Sequence, residues 1–368
     1  MRRSAATDPG RAATKATAPP RRQGPPRASA AAPGSRACCG AGSGICACGS
    51  SGPPAIINPE LGKQGFNGAM DRIEITTFAP AEPGAFDAAV AALSPAAALQ
   101  ARACYGEIAA AAGRGLRRLQ IGAGGRRIGL AQVLGRGGLW LCSRGPVFVP
   151  DLPEEIRRRA LRALARALPG LLIVTPETPV AGPGLVPLIT ARHQAIWDLS
   201  PEEAALRAGL QGKWRNRLVT AERAGLRVRV EPAADWLIAA EAQQRRDRGY
   251  RALPPAFAAA WAQRDPGSVL VLSAGTAAVP RQAGVMVLRA GAGASYHLGW
   301  SGPEGRAAGA HNLLLWQAAL RLRAQGVRHF DLGDINSEAG AGLMRFKLGT
   351  GAAVQALGAT VWVLPGRG

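Results

Sequence analysis

Lysine is scarce in this sequence: Lys15, Lys63, Lys213 and Lys347 stand against 41 arginines among 45 basic residues. Tyrosine occurs three times and methionine four. No stretch approaches the roughly 18 uninterrupted apolar residues that a membrane-spanning helix needs. Arg2 and Arg3 are not followed by an apolar segment, so no secretory signal is expected and a cytoplasmic location is. Cysteine is sparse and badly spaced for metal. Cys38, Cys39, Cys46 and Cys48 cluster without paired C-x-x-C spacing or a nearby histidine, while Cys104 and Cys142 stand alone in apolar segments. Neither a metal site nor a disulfide framework is expected from that pattern.

The chain has 368 residues, enough for two ordinary domains, and 47% of them are hydrophobic. Its formal net charge of +21 raises a nucleic-acid reading. The charge is diffuse, however. Residues 1–69 hold nine basic and two acidic residues, and residues 70–368 hold 36 against 22, a net +14 spread over many segments. An arginine-rich composition with solvated faces accounts for this, and a non-catalytic nucleic-acid-binding protein is kept as an alternative.

Residues 1–69 are rich in Pro, Gly, Ala and Arg without periodicity, and are expected to be disordered. Order is expected to begin near Met70, with strand-like alternation through Ile75. Residues 84–113 read as helix broken near Ser94-Pro95. Strands follow at 116–121, 127–134 and 139–143, with Gly122, Gly124 and Gly125 in a hairpin turn between the first two. Asp151 and Glu154 predict a capped helix with an Ile156, Ala160, Leu164, Leu168 stripe, and a strand at 171–174 succeeds it. A proline-punctuated stretch then bends the chain. Ser200, Pro201 and Glu203 spell a capping box for one helix running to Gly225, with Leu206, Leu210, Trp214 and Leu218 on its buried side. After it come a strand at 226–230, helices at 235–246 and 255–263, and a three-strand meander at 268–273, 284–289 and 294–300. A glycine-bearing loop, a helix at 311–325, a strand at 327–332 and a last strand pattern at 352–364 complete the order.

That order, and three segments within it, resemble the Fem-type aminoacyltransferases and other GNAT-superfamily N-acyltransferases. The segments are PLITARHQAIWDLSPEEAALRAGLQGKWRNRLVTAERAGLRV at 187–228, the Arg144-Gly145-Pro146-Val147 turn, and HFDLGDINSEAGAGLMRFKLGTG at 329–351. The resemblance implies an α/β (α+β) fold of two GNAT-like domains, each a mixed, mostly antiparallel sheet flanked by helices. A degenerate copy is expected at 70–195 and the acyltransferase domain at 196–368. It further implies direct attack by an amine on an activated carbonyl, with the acyl group supplied by acyl-CoA and no tightly bound cofactor. Aminoacyl-tRNA is the alternative donor, with a peptidoglycan precursor as acceptor. The sequence does not specify the acceptor beyond an amine on a small molecule or cell-wall precursor, nor the oligomeric state.

Candidate residues follow from the same motifs. The Phe346-Lys347 pair matches the family's Phe-Lys, which implies that Lys347 stabilises developing charge and Phe346 contacts substrate. The scarcity of lysine supports that reading independently, because an ammonium is a compact point donor where guanidinium is a broad fork. Lys213, Arg215 and Arg217 match a basic helix that holds substrate. Arg306, Gly309, His311 and Asn312 lie where acyl-CoA-dependent relatives place a pyrophosphate loop, at a strand-to-helix entry whose free N–H groups attract anions. His297, in the last meander strand, is a candidate general base, and Asp331 a candidate for orienting the amine or Lys347. These roles require the meander near Tyr296 and the segment around Phe346 to close on one groove.

Overall fold

The computed structural model describes residues 72–79, 84–250, 252–335 and 340–366. The expected disordered tail and the cluster Cys38, Cys39, Cys46 and Cys48 lie outside them.

The first part of the chain forms β1 (Ile73–Thr77), α1 (Ala85–Leu93), α2 (Ala103–Ala111), β2 (Gly115–Ala123), β3 (Arg126–Arg136), β4 (Leu139–Ser143), β5 (Val147–Phe148), α3 (Glu154–Ala167), β6 (Leu171–Thr175) and β7 (Leu185–Ile189). The second part forms β8 (His193–Asp198), α4 (Glu203–Gly209), α5 (Gly212–Arg223), β9 (Arg227–Val230), α6 (Asp235–Arg248), α7 (Pro255–Arg264), β10 (Val269–Gly275), β11 (Ala283–Ala290) and β12 (Gly293–Ser301). It continues through α8 (Pro303–Ala307), α9 (Ala310–Ala324), β13 (His329–Asp334), α10 (Ala341–Leu348), β14 (Ala353–Ala356) and β15 (Thr360–Val363).

These elements build two mostly antiparallel sheets flanked by helices, ordered β1-β2-β3-β4-β6-β15-β7, with β5 beside β3, and β14-β8-β13-β12-β11-β10-β9. The alternation that marked the strands is what buries them. On the first sheet, Ile121, Val133, Leu172 and Val361 pack under Ala160, Leu161 and Leu164 of α3. The second sheet is covered on both faces. Leu272, Val285, Val287 and Phe330 meet α5 and α9 through Trp214, Leu218, Leu314 and Trp316. On the opposite face Val271, Met286 and Leu288 meet α6 and α7, and α2 adds Cys104 and Ile108 to this core, locking the two parts together. The β2–β3 turn has Gly124 and Gly125 at φ 56° and 72°, the left-handed pair a tight hairpin demands. No helix among the described residues is long and apolar enough to cross a membrane.

Four local expectations are corrected. Asp151 does not cap α3: it sits at φ 58°, Pro153 takes the cap position, and the Glu154 carboxylate accepts the Ala181 N–H at 2.9 Å. Ser200 does not cap either, since its N–H is held by Asp198 at 2.9 Å and α4 starts only at Glu203. The single helix expected from Ser200 to Gly225 is two. Leu210 and Gln211 are extended between α4 and α5, where Gly209 and Gly212 weaken the helix and the Gln211 N–H donates to the Gly349 carbonyl at 2.9 Å. The buried stripe nevertheless holds, with Leu206, Leu210, Trp214 and Leu218 all in the core. Finally, the C-terminal strand is two strands in different sheets: β14 pairs with β8, and β15 inserts between β6 and β7. The crossing passes Gly358, whose N–H donates to Pro176 at 3.0 Å and where a Cβ would lie 2.6 Å from the Pro176 ring. β8 belongs to the second sheet although it begins at residue 193.

Candidate functional site

The centre of the second sheet is where two parallel strands part. β12 and β13 pair at Gly293–His329, Ala294–Phe330 and Ser295–Asp331, and then separate although β12 runs on to Ser301 and β13 to Asp334. Irregularities on both outer flanks bend them away. In β12, Tyr296 pairs with Val287 and Leu298 with Met286, leaving His297 as an extra residue. In β13, the register with β8 shifts between Asp331 and Asp334, around Gly333 at φ 84°.

Into the opening project Tyr296 from β12, His311 from the first turn of α9 and Phe346 from α10. The Tyr296 hydroxyl lies 2.9 Å from His311 Nε2, and His311 Nδ1 lies 3.2 Å from Ser301 Oγ. Phe346 meets the His311 ring edge-on at 5.5 Å and Trp214 at 6.0 Å. The meander near Tyr296 and the segment around Phe346 therefore do close on shared ground, with His311 between them. Gly299 makes room, since a Cβ there would lie 1.7 Å from the Tyr296 hydroxyl. Burial pushes the His311 pKa down to about 4 and the Tyr296 pKa upward. A neutral imidazole has one N–H, so one of the two hydroxyls must donate to the ring.

Lys347 lies beside the end of β13, on a short helix, α10, that the periodicity did not mark. Its ammonium donates to the Asp334 carbonyl at 2.6 Å, and a Cβ at Gly333 would come within 3.3 Å of it. Burial lowers its pKa, while Asp331 and Asp334 counteract that. Asp331 stands at the parting point. One of its carboxylate oxygens accepts the Gly333 N–H at 2.7 Å and the other accepts from Arg144. Arg144 arrives from the first sheet, at φ 49° before Gly145-Pro146, and also clasps Glu177 through two bonds of 2.8 and 2.6 Å. Burial would lower its pKa, but the Glu177 hydrogen bonds and the Asp331 charge outweigh that and hold it above the ordinary arginine value.

Beside this Glu177–Arg144–Asp331 chain lies a cavity of about 490 Å³ between the two sheets. Ser295 and Asp331 line it from the second sheet and Arg144, Arg157, Glu177 and Thr178 from the first part of the chain, with Ala97, Val147, Phe148 and Ile196 supplying apolar surface. The volume suits a small organic ligand.

The other sequence-predicted residues fall in three places. His297 faces the opposite side of the sheet, against Phe257 at 5.7 Å, and is not brought to Lys347; burial pushes its pKa down to about 4. Arg217, Arg306, Gly309 and His311 do meet at the entry of α9. Their guanidinium groups are engaged, Arg217 with the Arg306 carbonyl at 2.6 Å and Arg306 with the Ser301 carbonyl. Gly309 is at φ 71°, with the Arg217 carbonyl 3.0 Å from where a Cβ would be. Asn312 is buried one turn in. Lys213 and Arg215 are exposed on α5. Sequence reasoning passed over Glu177 and Arg157 entirely, and took Arg144 only as part of a turn motif. It also read Glu241 as plain helix, though this carboxylate is buried behind β12 and accepts from Tyr250 at 2.9 Å.

The two buried histidines make stability acid-sensitive. Their folded pKa values, about 4, lie below the unfolded 6.5, so between these pH values the unfolded chain binds more protons. Stability is full above pH 6.5 and is lost as pH falls toward 4, by up to about 3 kcal/mol per histidine. Urea midpoints at pH 7.5 and 4.5 should differ strongly for the wild type and less for His311→Phe; an unchanged difference refutes the assignment for His311.

Two mixed, mostly antiparallel sheets flanked by helices are the arrangement that the sequence resemblance implied. Residues 207–348 match the family model described as an acetyltransferase (GNAT) domain. The crystal structure of FemX superposes with a TM-score of 0.65 at 16% identity, covering 79% of this chain and 97% of that one. A conserved protein of unknown function from Bacteroides thetaiotaomicron VPI-5482 gives 0.54 at 12% identity, covering 78% and 100%. No curated protein matches the sequence. Residues 207–348 thus carry a GNAT acetyltransferase domain, and the two-sheet body around it shares the fold of FemX.

Proposed function

We propose that the protein transfers an acyl group from acyl-CoA to an amine that enters from the cavity between the sheets. The observation that carries this reading is the sharing of Ser295 and Asp331: they are the last residue pair before β12 and β13 separate, and both line the cavity. A donor lying in the opening thus presents its carbonyl where an acceptor in the cavity can reach it. The neutral amine nitrogen attacks the carbonyl carbon, the C–N bond forms, the C–S bond breaks, and the proton given up by the nitrogen ends on the departing thiolate as free CoA thiol. No covalent enzyme intermediate is needed. Asp331 and Glu177 favour and orient the incoming amine, and the Lys347 ammonium stabilises negative charge developing near the parting point. Phe346 and His311 bound the donor's channel. His297, on the far face, has no part in the step.

A second reading keeps the reaction and changes the donor to aminoacyl-tRNA, with a peptidoglycan precursor as acceptor. It is favoured by the engagement of Arg217 and Arg306 with backbone carbonyls, which leaves the α9 entry less ready for a pyrophosphate. Incubating the protein with a panel of amines and either acetyl-CoA or charged tRNA, and reading products by mass spectrometry, separates the two. The acyl-CoA reading expects an acylated amine with free CoA; absence of product from every acyl-CoA offered, with product from charged tRNA, overturns it. Salt-sensitive RNA or DNA binding without turnover from either donor would favour the non-catalytic alternative.

A further inference from the structure

The cavity between the sheets is lined by charged groups of both signs. Arg144 is shared by two carboxylates, Asp331 and Glu177, so the three groups carry one net negative charge. Arg157 of α3 lines the same space with its fork only partly used. Its Nη1 donates to the Thr178 hydroxyl, and its buried Nε makes no hydrogen bond among the described residues. That bond fixes the guanidinium by one corner and leaves Nη2 without a partner among the described residues, a charge-assisted donor for a carboxylate beside a buried Nε. Asp151 lines the same cavity but forms no ion pair with it among the described residues. A simple amine would satisfy the carboxylates and leave Arg157 unused; a simple anion would do the reverse and meet the negative triad.

We infer that the acceptor is amphoteric: its ammonium end lies against Glu177 and Asp331, and a carboxylate or similar anion on the same molecule is received by Arg157. The inference rests on the reading of this cavity as the acceptor site. It narrows the acceptor to amino-acid-like molecules or peptide ends and disfavours simple polyamines, which would place a second cation beside Arg157.

Binding tests it without turnover. A series of ω-amino acids from three to eight carbons is titrated by calorimetry into the full-length protein, each beside the alkylamine and the alkanoate of equal length. At least one amino acid is expected to bind about tenfold or more tightly than both of its matched partners, as a charge-assisted pair predicts. Arg157→Gln is expected to collapse that preference to about one. Arg157→Lys, which keeps the charge but loses the fork, is expected to retain part of it, and thermal melting of both variants checks that they fold. The inference is overturned if no amino acid exceeds its matched amine, or if the preference survives Arg157→Gln. Acetyl transfer to the same amines is read separately. Transfer without carboxylate preference sinks the inference and spares the proposed function, whereas carboxylate preference without transfer from any donor does the opposite.

Discussion

Arg144→Met is expected to lower the melting temperature by about 5 °C, corresponding to a loss of about 3 kcal/mol, because it strands two carboxylates around a mostly buried site. Arg144 and Asp331 are only 13% and 14% exposed, so water does little to screen them once the guanidinium is gone. The same change should cut kcat/KM for amine acylation about 100-fold, since Arg144 holds Asp331 and Glu177 in place from across the two sheets. The triple variant Arg144→Met, Asp331→Asn, Glu177→Gln removes the stranded charge as well. It is expected to recover most of the melting temperature and none of the turnover, which separates the electrostatic cost of the fold from the role in the reaction. Scanning calorimetry and steady-state kinetics give both values. A single-variant melting shift under 2 °C with unchanged kcat/KM would show that the Glu177–Arg144–Asp331 chain matters to neither.

Lys347→Met is expected to reduce kcat about 100-fold or more while leaving the far-ultraviolet circular dichroism unchanged, the size of effect seen when one preorganised charge donor is removed from a developing oxyanion. Methionine fills a similar volume, so the loss reports the ammonium and not a cavity. Arginine should not rescue. The ammonium already lies 3.3 Å from where a Cβ on Gly333 would be, so a broader planar fork would press on β13. An increase in KM at constant kcat would instead mark Lys347 as a residue of uniform binding. A kcat within threefold of wild type, for a folded variant, would remove Lys347 from the reaction.

Much of the second sheet's framework was legible because its elements carry their own signals. The helices at 235–248, 255–264 and 310–324 and the meander β10–β12 show amphipathic or continuous apolar patterns of the right length, and these are local properties. The Phe346-Lys347 pair drew attention for a different reason: its neighbourhood resembles a known family, and lysine is rare in this chain. The glycines at 122–125 were legible as a hairpin because only residues tolerant of positive φ fit such a turn.

The cap at Ser200 shows where that legibility stops. Its composition favours a helix start, yet Asp198 and the Gln211–Gly349 hydrogen bond decide differently, and these are contacts between segments. Tyr296 and His297 make the same point for the site. A regular strand would put residues 296 and 298 on one face. The bulge at His297 instead sends Tyr296 to His311 and Leu298 to the core with Phe257. No local pattern announces a bulge, because it is set by the neighbouring strand's register.

The amino-acid sequence by itself determined most of the helices and strands, the apolar stripes that face the core, and that a rare lysine lies near the end of an acyltransferase-like domain. Burying apolar periodic segments needs only local order and a place to pack. Tertiary structure decided the rest: that β15 returns to the first sheet, that His297 faces away from the parting strands, and that Arg144 meets Asp331, 187 positions further along the chain. An ion pair between such distant residues leaves no trace in periodicity. It exists because the turn after an interior strand of the first sheet reaches an interior strand of the second, and the charge of each partner makes sense only in the presence of the other.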